Sequence, residues 1–317
     1  MLLTVTFNPA IDLDFVIDKL RSGERYRTNV SRRSPGGTGI NVSIILARLG
    51  HASIATGFLA GFEGAYILEE LSKEGVFTNF IRTLGETRIK VGIGETERKQ
   101  ETRLHELGVR ISPNDEAAFI RNYERIMSRI DCVAAGGSLP PGIDVSIYPE
   151  ITRIARNNSV PIALHPRIQD WDFLLEEPPT FLQLDQTLFR NADAEETINA
   201  FMARAEKMHG MGTEWLFMSL SRTKTVFSST KGAWIAEVPE MERLHLDVTE
   251  DALLAGTLAA IREGSTAEEV VRLAMACNWE SAVYPEKFPL DRPHVIDRVS
   301  QVLLDKLAPP PHIKVLS

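Results

Sequence analysis

At 317 residues, 44% of them hydrophobic and 25% charged, the chain can bury a full core and has the composition of an ordinary globular protein. Its net charge of −8 argues against nucleic acid as a partner, because phosphate backbones are held by clustered Lys and Arg. The two cysteines, Cys132 and Cys277, stand far apart and outside any CxxC spacing, which speaks against a disulfide framework or a structural metal and fits a reducing, cytoplasmic setting.

In chain order, Leu2 to Phe7 is a short apolar run without a basic n-region or a small-residue cleavage site, so it reads as a first strand and not as a signal peptide. No run approaches the roughly 18 apolar residues of a membrane-spanning helix, and no membrane anchor is expected. Further runs rich in β-branched residues, Ser53 to Phe58, Asp131 to Ala135, Val160 to Leu164, Thr180 to Leu184 and Glu214 to Ser219, read as strands buried on both faces. Between them, helical spacing marks Ile40 to Leu49, Ala65 to Lys73, Asn114 to Ile130, Ile147 to Arg156, Asp193 to Met208, Asp251 to Arg262 and Ala267 to Val283. That alternation predicts an α/β fold with a mostly parallel sheet covered by helices. Two segments break it, 12–31 and 87–105, and are expected to form a small β-lid over a ligand. The chain thus reads as one domain, 1–307, and a Pro-rich C-terminal tail, 308–317.

Three motifs fall at strand ends, where open parallel sheets place their ligands. Asn8-Pro-Ala-Ile-Asp12 follows the first strand and offers the amide of Asn8 and the carboxylate of Asp12 to sugar hydroxyls. Pro35-Gly-Gly-Thr-Gly-Ile-Asn-Val42 opens a helix: Gly36, Gly37 and Gly39 permit close backbone approach, and Asn41 adds an amide. Gly136-Gly-Ser-Leu-Pro-Pro-Gly142 places Ser138 in the third. Each motif alone also reads as an ordinary turn, and the glycine spacing matches neither a dinucleotide nor a Walker loop. His165, at a strand end, has no acidic partner nearby in sequence and reads as a structural histidine. The other histidines show no metal-ligand spacing.

Taken together and in this order, these motifs resemble the PfkB family of carbohydrate kinases, of ribokinase-like fold, and most of all its 1-phosphofructokinase and tagatose-6-phosphate kinase branch. Thr87-Arg-Ile-Lys90 and Asp251-Ala-Leu-Leu-Ala-Gly256 also fall where that family has its motifs. The resemblance implies a three-layer α/β/α sandwich with a small β-lid, and transfer of the γ-phosphate of ATP, with Mg²⁺, to a hydroxyl of a sugar phosphate. Asp251 would be the general base, Asp12 and Asn41 would hold the sugar, and Arg88, supported by Lys90, would hold its phosphate. Lids in this family can pair across a homodimer.

The sequence departs from the family pattern chiefly on the nucleotide side. The family's Gly-Ala-Gly-Asp turn is Val248-Thr-Glu-Asp251 here, so Thr249 and Glu250 replace residues that cradle phosphate, and a carboxylate there repels one. Asp247 and Glu250 also have the spacing of a helix capping pair. The family's Asn-x-x-Glu aligns with Asp185-Gln-Thr-Leu188, and its next glycine-rich turn with Ser221-Arg-Thr-Lys224, where Arg222 and Lys224 offer charge to phosphates or to solvent. Thr38 replaces a lysine of the phosphosugar branch, and Asn278 and Trp279 fall where the adenine is expected. Two readings follow: an ATP-dependent phosphosugar kinase with a remodelled anion hole, or an impaired relative that binds a sugar phosphate as a sensor or an inactive subunit.

Overall fold

The computed structural model describes residues 1–98, 100–167, 172–184, 194–240, 248–283, 288 and 290–307. The central sheet runs β15 (Leu303–Leu307), β14 (Gly232–Glu237), β13 (Lys224–Ser229), β12 (Trp215–Ser219), β11 (Phe181–Leu184), β10 (Ile162–Pro166), β9 (Cys132–Gly137), β1 (Leu2–Thr6), β4 (Ser53–Leu59) and β5 (Phe77–Thr78), with β6 (Ile81–Arg82) also on β4. Pairing is parallel from β12 to β5, and β13, β14 and β15 form an antiparallel edge.

Alternation along β1 shows why the strand is central. Leu3, Val5 and Phe7 join an apolar layer with Phe119 and Tyr123 of α3 (Pro113–Ile126), Ile147 and Ile151 of α4 (Ile147–Asn157) and Phe201 of α5 (Ala194–Gly210). On the opposite face lie α1 (Thr38–Arg48), α6 (Thr249–Arg262) and α7 (Ala267–Glu280), whose Ile44, Leu254 and Val271 belong to a second layer. Thr4 and Thr6 face that side and fasten α1: the Thr4 and Ser43 hydroxyls are 2.7 Å apart, and Ile40 N donates to Thr6 Oγ1 at 2.9 Å. The expected three-layer sandwich is present, with α2 (Gly61–Lys73) and α8 (Arg292–Val299) completing the helices among the described residues.

The two segments that interrupt the alternation build a separate four-stranded sheet in the order β3 (Val30–Gly36), β2 (Ala10–Ile17), β7 (Arg88–Glu95), β8 (Gln100–His105). It begins earlier and ends later than 12–31, because Ala10 pairs with Gly36 and the glycine-rich stretch starts on a strand. β2 and β7 are parallel, which sets Arg88 opposite Ala10 and Lys90 opposite Asp12. Helix starts also differ from expectation. α1 begins at Thr38, since Thr6 substitutes for a side-chain cap at Gly37, and α2 begins at Gly61, where Glu86 accepts from Phe62 N at 2.9 Å. α3 starts at Pro113 with Ser112 as its cap and stops at Ile126 before a 3₁₀ turn over Met127–Arg129. No helix of the described residues is long and apolar enough to cross a membrane.

Candidate functional site

A cavity of about 390 Å³ opens where the carboxyl ends of β1 and β9 meet the smaller sheet. Of the residues singled out in the sequence, Asn8, Asp12, Gly37, Asn41, Arg88, Lys90, Ser138 and Asp251 line it. Gly36 stands behind Asp12, and Gly39 packs on the backbone of β1, so these two shape the wall without facing the cavity.

Each lining side chain is set by the strand that carries it. Arg88 is buried at the start of β7 and spans three segments: its Nη2 donates to Asn8 O at 3.0 Å and Ser138 Oγ at 3.1 Å, and its Nη1 to Glu106 O at 3.1 Å. Its Nε has no partner among the described residues. Burial lowers the affinity of this guanidinium for its proton, and Asp12 opposes the effect. Lys90 lies 3.6 Å from Asp12, its partner across the β2–β7 register. Asn8 turns its amide toward Leu107 O at 3.0 Å and so ties the end of β1 to the segment after β8.

At the other end of the cavity is Asp251, in the first turn of α6 and 1% exposed. Asn41 Nδ2 donates to its Oδ2 at 2.6 Å, while Oδ1 and Asn41 Oδ1 have no hydrogen-bond partner among the described residues. One carboxylate oxygen is therefore anchored and the other has no hydrogen bond, beside a helix N-terminus whose free N–H groups and dipole favour negative charge. Glu250 lies next to it. Gln183 Nε2 donates to Glu250 O at 3.1 Å and to its Oε2 at 3.0 Å. Burial alone would push the Glu250 carboxyl up, but the His165 imidazole, the Ser219 hydroxyl and the Arg167 guanidinium outweigh it and hold the group below the usual glutamate range. His165 is thus not remote from acids: its Nε2 is 3.4 Å from Glu250 and its Nδ1 3.9 Å from Asp251, partners that arrive from far along the chain.

Sequence reasoning missed Arg103, His105 and Arg167, which also line the cavity. The first two were findable, because β8 pairs with β7 and sets His105 opposite Lys90 and Arg103 opposite Gly92. Burial, and then the positive charges of Lys90, Arg88 and Arg103, hold His105 below the ordinary histidine range. Arg167 follows a strand end and carried no motif.

The residues expected to face a nucleotide lie outside this cavity. Ser221 Oγ accepts from Thr223 N and Lys224 N, both at 3.2 Å, and so closes the turn that exposes Arg222. Lys224 pairs with Glu237 at 3.1 Å. Asn278 Nδ2 donates to Thr249 O at 3.0 Å, fastening α7 to the start of α6. Trp279 is buried in the core layer, with the Arg298 guanidinium 4.3 Å from its ring centre. Asp185-Gln-Thr-Leu188 and Asp247 lie outside the described residues.

Residues 5–279 match the model of the pfkB family of carbohydrate kinases. Among solved structures, a protein of Thermotoga maritima described as a possible 1-phosphofructokinase is 28% identical, with 97% of this chain and 99% of that chain covered and a TM-score of 0.88. Phosphofructokinase-2 of Escherichia coli, in complex with substrates and products, is 16% identical over 94% of this chain and 98% of that chain, with a TM-score of 0.85, a likeness of fold.

Proposed function

The chain belongs to the pfkB family of carbohydrate kinases, and from that membership we propose that its cavity takes a sugar phosphate and that Asp251 is the general base for the hydroxyl to be phosphorylated. The observation that carries this reading is the Asp251 carboxylate, buried at the cavity wall with one oxygen held by Asn41 and the other unbonded. A carboxylate fixed in this way can accept a hydroxyl proton as the oxygen attacks, without first having to reorient.

The remaining wall is divided by chemistry. Asp12 and Asn41 offer hydrogen-bonding groups to sugar hydroxyls, whereas Arg88, Lys90 and Arg103 gather positive charge for a phosphate already on the sugar. Fructose 1-phosphate, fructose 6-phosphate and tagatose 6-phosphate are the substrate class. The E. coli neighbour has been seen with fructose 6-phosphate. The small sheet supplies Asp12, Arg88, Lys90 and Arg103, so in this reading it acts as a lid that shields the ligand from water and through which two copies would pair.

Mg-ATP is the phosphoryl donor that the family implies. The described residues fit it poorly: Glu250 adds a carboxylate beside the base, and Lys224 is engaged by Glu237. The position of Glu250 favours a second reading, in which the protein binds a sugar phosphate without transferring phosphate to it.

Calorimetric titration with Mg-ATP and, separately, with the three sugar phosphates decides between them. Binding of both ligands supports the kinase. Sugar-phosphate binding alone selects the second reading, and binding of neither overturns both.

A further inference from the structure

His165 takes no part in the reaction as described above, yet it is the buried imidazole nearest to the base. It lies within β10 in register with Gly136 of β9 and is 1% exposed. Its Nε2 is 3.4 Å from Glu250 Oε2 and its Nδ1 3.9 Å from Asp251 Oδ1, and neither nitrogen has a hydrogen-bond partner among the described residues. A histidine that merely fills the core satisfies its ring nitrogens, because an unpaired buried polar group costs about 1–3 kcal/mol. Here both nitrogens face acids from consecutive residues of one helix turn.

The donor inventory narrows what the ring can do. Neutral imidazole donates from one nitrogen and presents a lone pair at the other, so it can serve only one ionised carboxylate; imidazolium can donate to both. The other groups around this cluster are the Gln183 amide on β11, the Ser219 hydroxyl at the end of β12, and Arg167, which follows β10 and acts on Glu250 from the cavity side. Gln183 and Ser219 thus tie Glu250 to β11 and β12.

We propose that His165 is a positioning residue for Asp251: its imidazole spans Glu250 and Asp251, fixes the rotation of the Asp251 carboxylate from the side opposite Asn41, and offsets the second negative charge beside the base. This rests on the reading of Asp251 as the proton acceptor. The reaction gains a base held on both flanks, and the acidic residue next to it becomes compatible with an anionic ligand.

The test reads the ring-nitrogen resonances of His165 by NMR at one fixed pH in the wild type, Glu250→Gln and Asp251→Asn, together with turnover and sugar-phosphate affinity of His165→Gln and His165→Asn. Loss of the Glu250 carboxylate should move the Nε2 resonance and loss of the Asp251 carboxylate the Nδ1 resonance, because each ring nitrogen faces one acid. His165→Gln should lower kcat by on the order of 10–100-fold, the scale of a misplaced catalytic group, leave sugar-phosphate affinity within about twofold and change the pH profile. Ring-nitrogen resonances unchanged in both carboxylate variants, or His165→Gln turning over with the wild-type pH profile, overturns the proposal. If the wild type transfers no phosphate, the base reading fails by itself, and the ring-nitrogen resonances still decide whether the imidazole is shared by the two acids.

Discussion

Asn41 and Asp251 lie 210 residues apart in sequence and meet at 2.6 Å, amide to carboxylate, where α1 and α6 begin side by side. This contact joins the glycine-rich motif near the N-terminus to the acidic helix start near the C-terminus, and the site depends on it. Asn41→Ala should leave Asp251 buried with an oxygen unpaired, which costs about 1–3 kcal/mol in stability and reduces turnover by on the order of 100-fold. Asn41→Asp should move the activity profile to higher pH, because two carboxylates in contact cannot both ionise readily. A pH–rate series on the two variants checks both outcomes.

The glycines near Asp12 separate affinity from stability. A Cβ at Gly36 would overlap the Asp12 carboxylate, with its Cγ 2.9 Å away, whereas one at Gly39 would stand 2.5 Å from the backbone oxygen of Val5. A side chain can swing aside and a central strand cannot. Gly36→Ala should therefore weaken sugar-phosphate binding with little loss of Tm, and Gly39→Ala should lower Tm first. Paired calorimetry and thermal unfolding distinguish the two.

Arg88 connects Asn8, Ser138 and Glu106 through its guanidinium. Lysine keeps the charge but lacks the planar fork that reaches all of them. Arg88→Lys should cost about 2–4 kcal/mol, comparable to disrupting a buried charged network, and should raise the Kd for a sugar phosphate while leaving that for a non-phosphorylated sugar nearly unchanged. Denaturant unfolding and titration with both ligands measure these effects.

Glu250 carries a pH signature of defined sign. Its carboxyl is held below its ordinary value in the folded protein, so the unfolded chain binds the proton more readily as pH falls. The stability it contributes is complete above about pH 4.5, the ordinary glutamate range, and is lost as pH falls through its lower folded value. The Tm difference between the wild type and Glu250→Gln should shrink below that pH. A difference that grows on acidification would contradict the assignment.

The sequence revealed the cavity residues carried by strand-end motifs more readily than those brought in by strand pairing and packing, for a physical reason. Asn8, Asp12, Asn41 and Ser138 belong to short motifs at strand ends, where local spacing fixes which side chains reach a ligand. Arg103 and His105 require knowledge of which strand pairs with β7. The His165 cluster requires β10 and α6 to be neighbours, a tertiary fact that no local pattern carries. Helix starts went astray where the cap is remote, as with Thr6 for α1 and Glu86 for α2. α8 and β15 were overlooked because both are short, and α8 buries only Val295.

The most direct test measures phosphoryl transfer and sugar-phosphate binding side by side in the wild type and Asp251→Asn. Loss of a positioned general base typically costs about 10²–10⁴ in rate. The account predicts a loss on that scale in Asp251→Asn, with the sugar-phosphate Kd within a few-fold of wild type. Turnover by Asp251→Asn at the wild-type rate would contradict it.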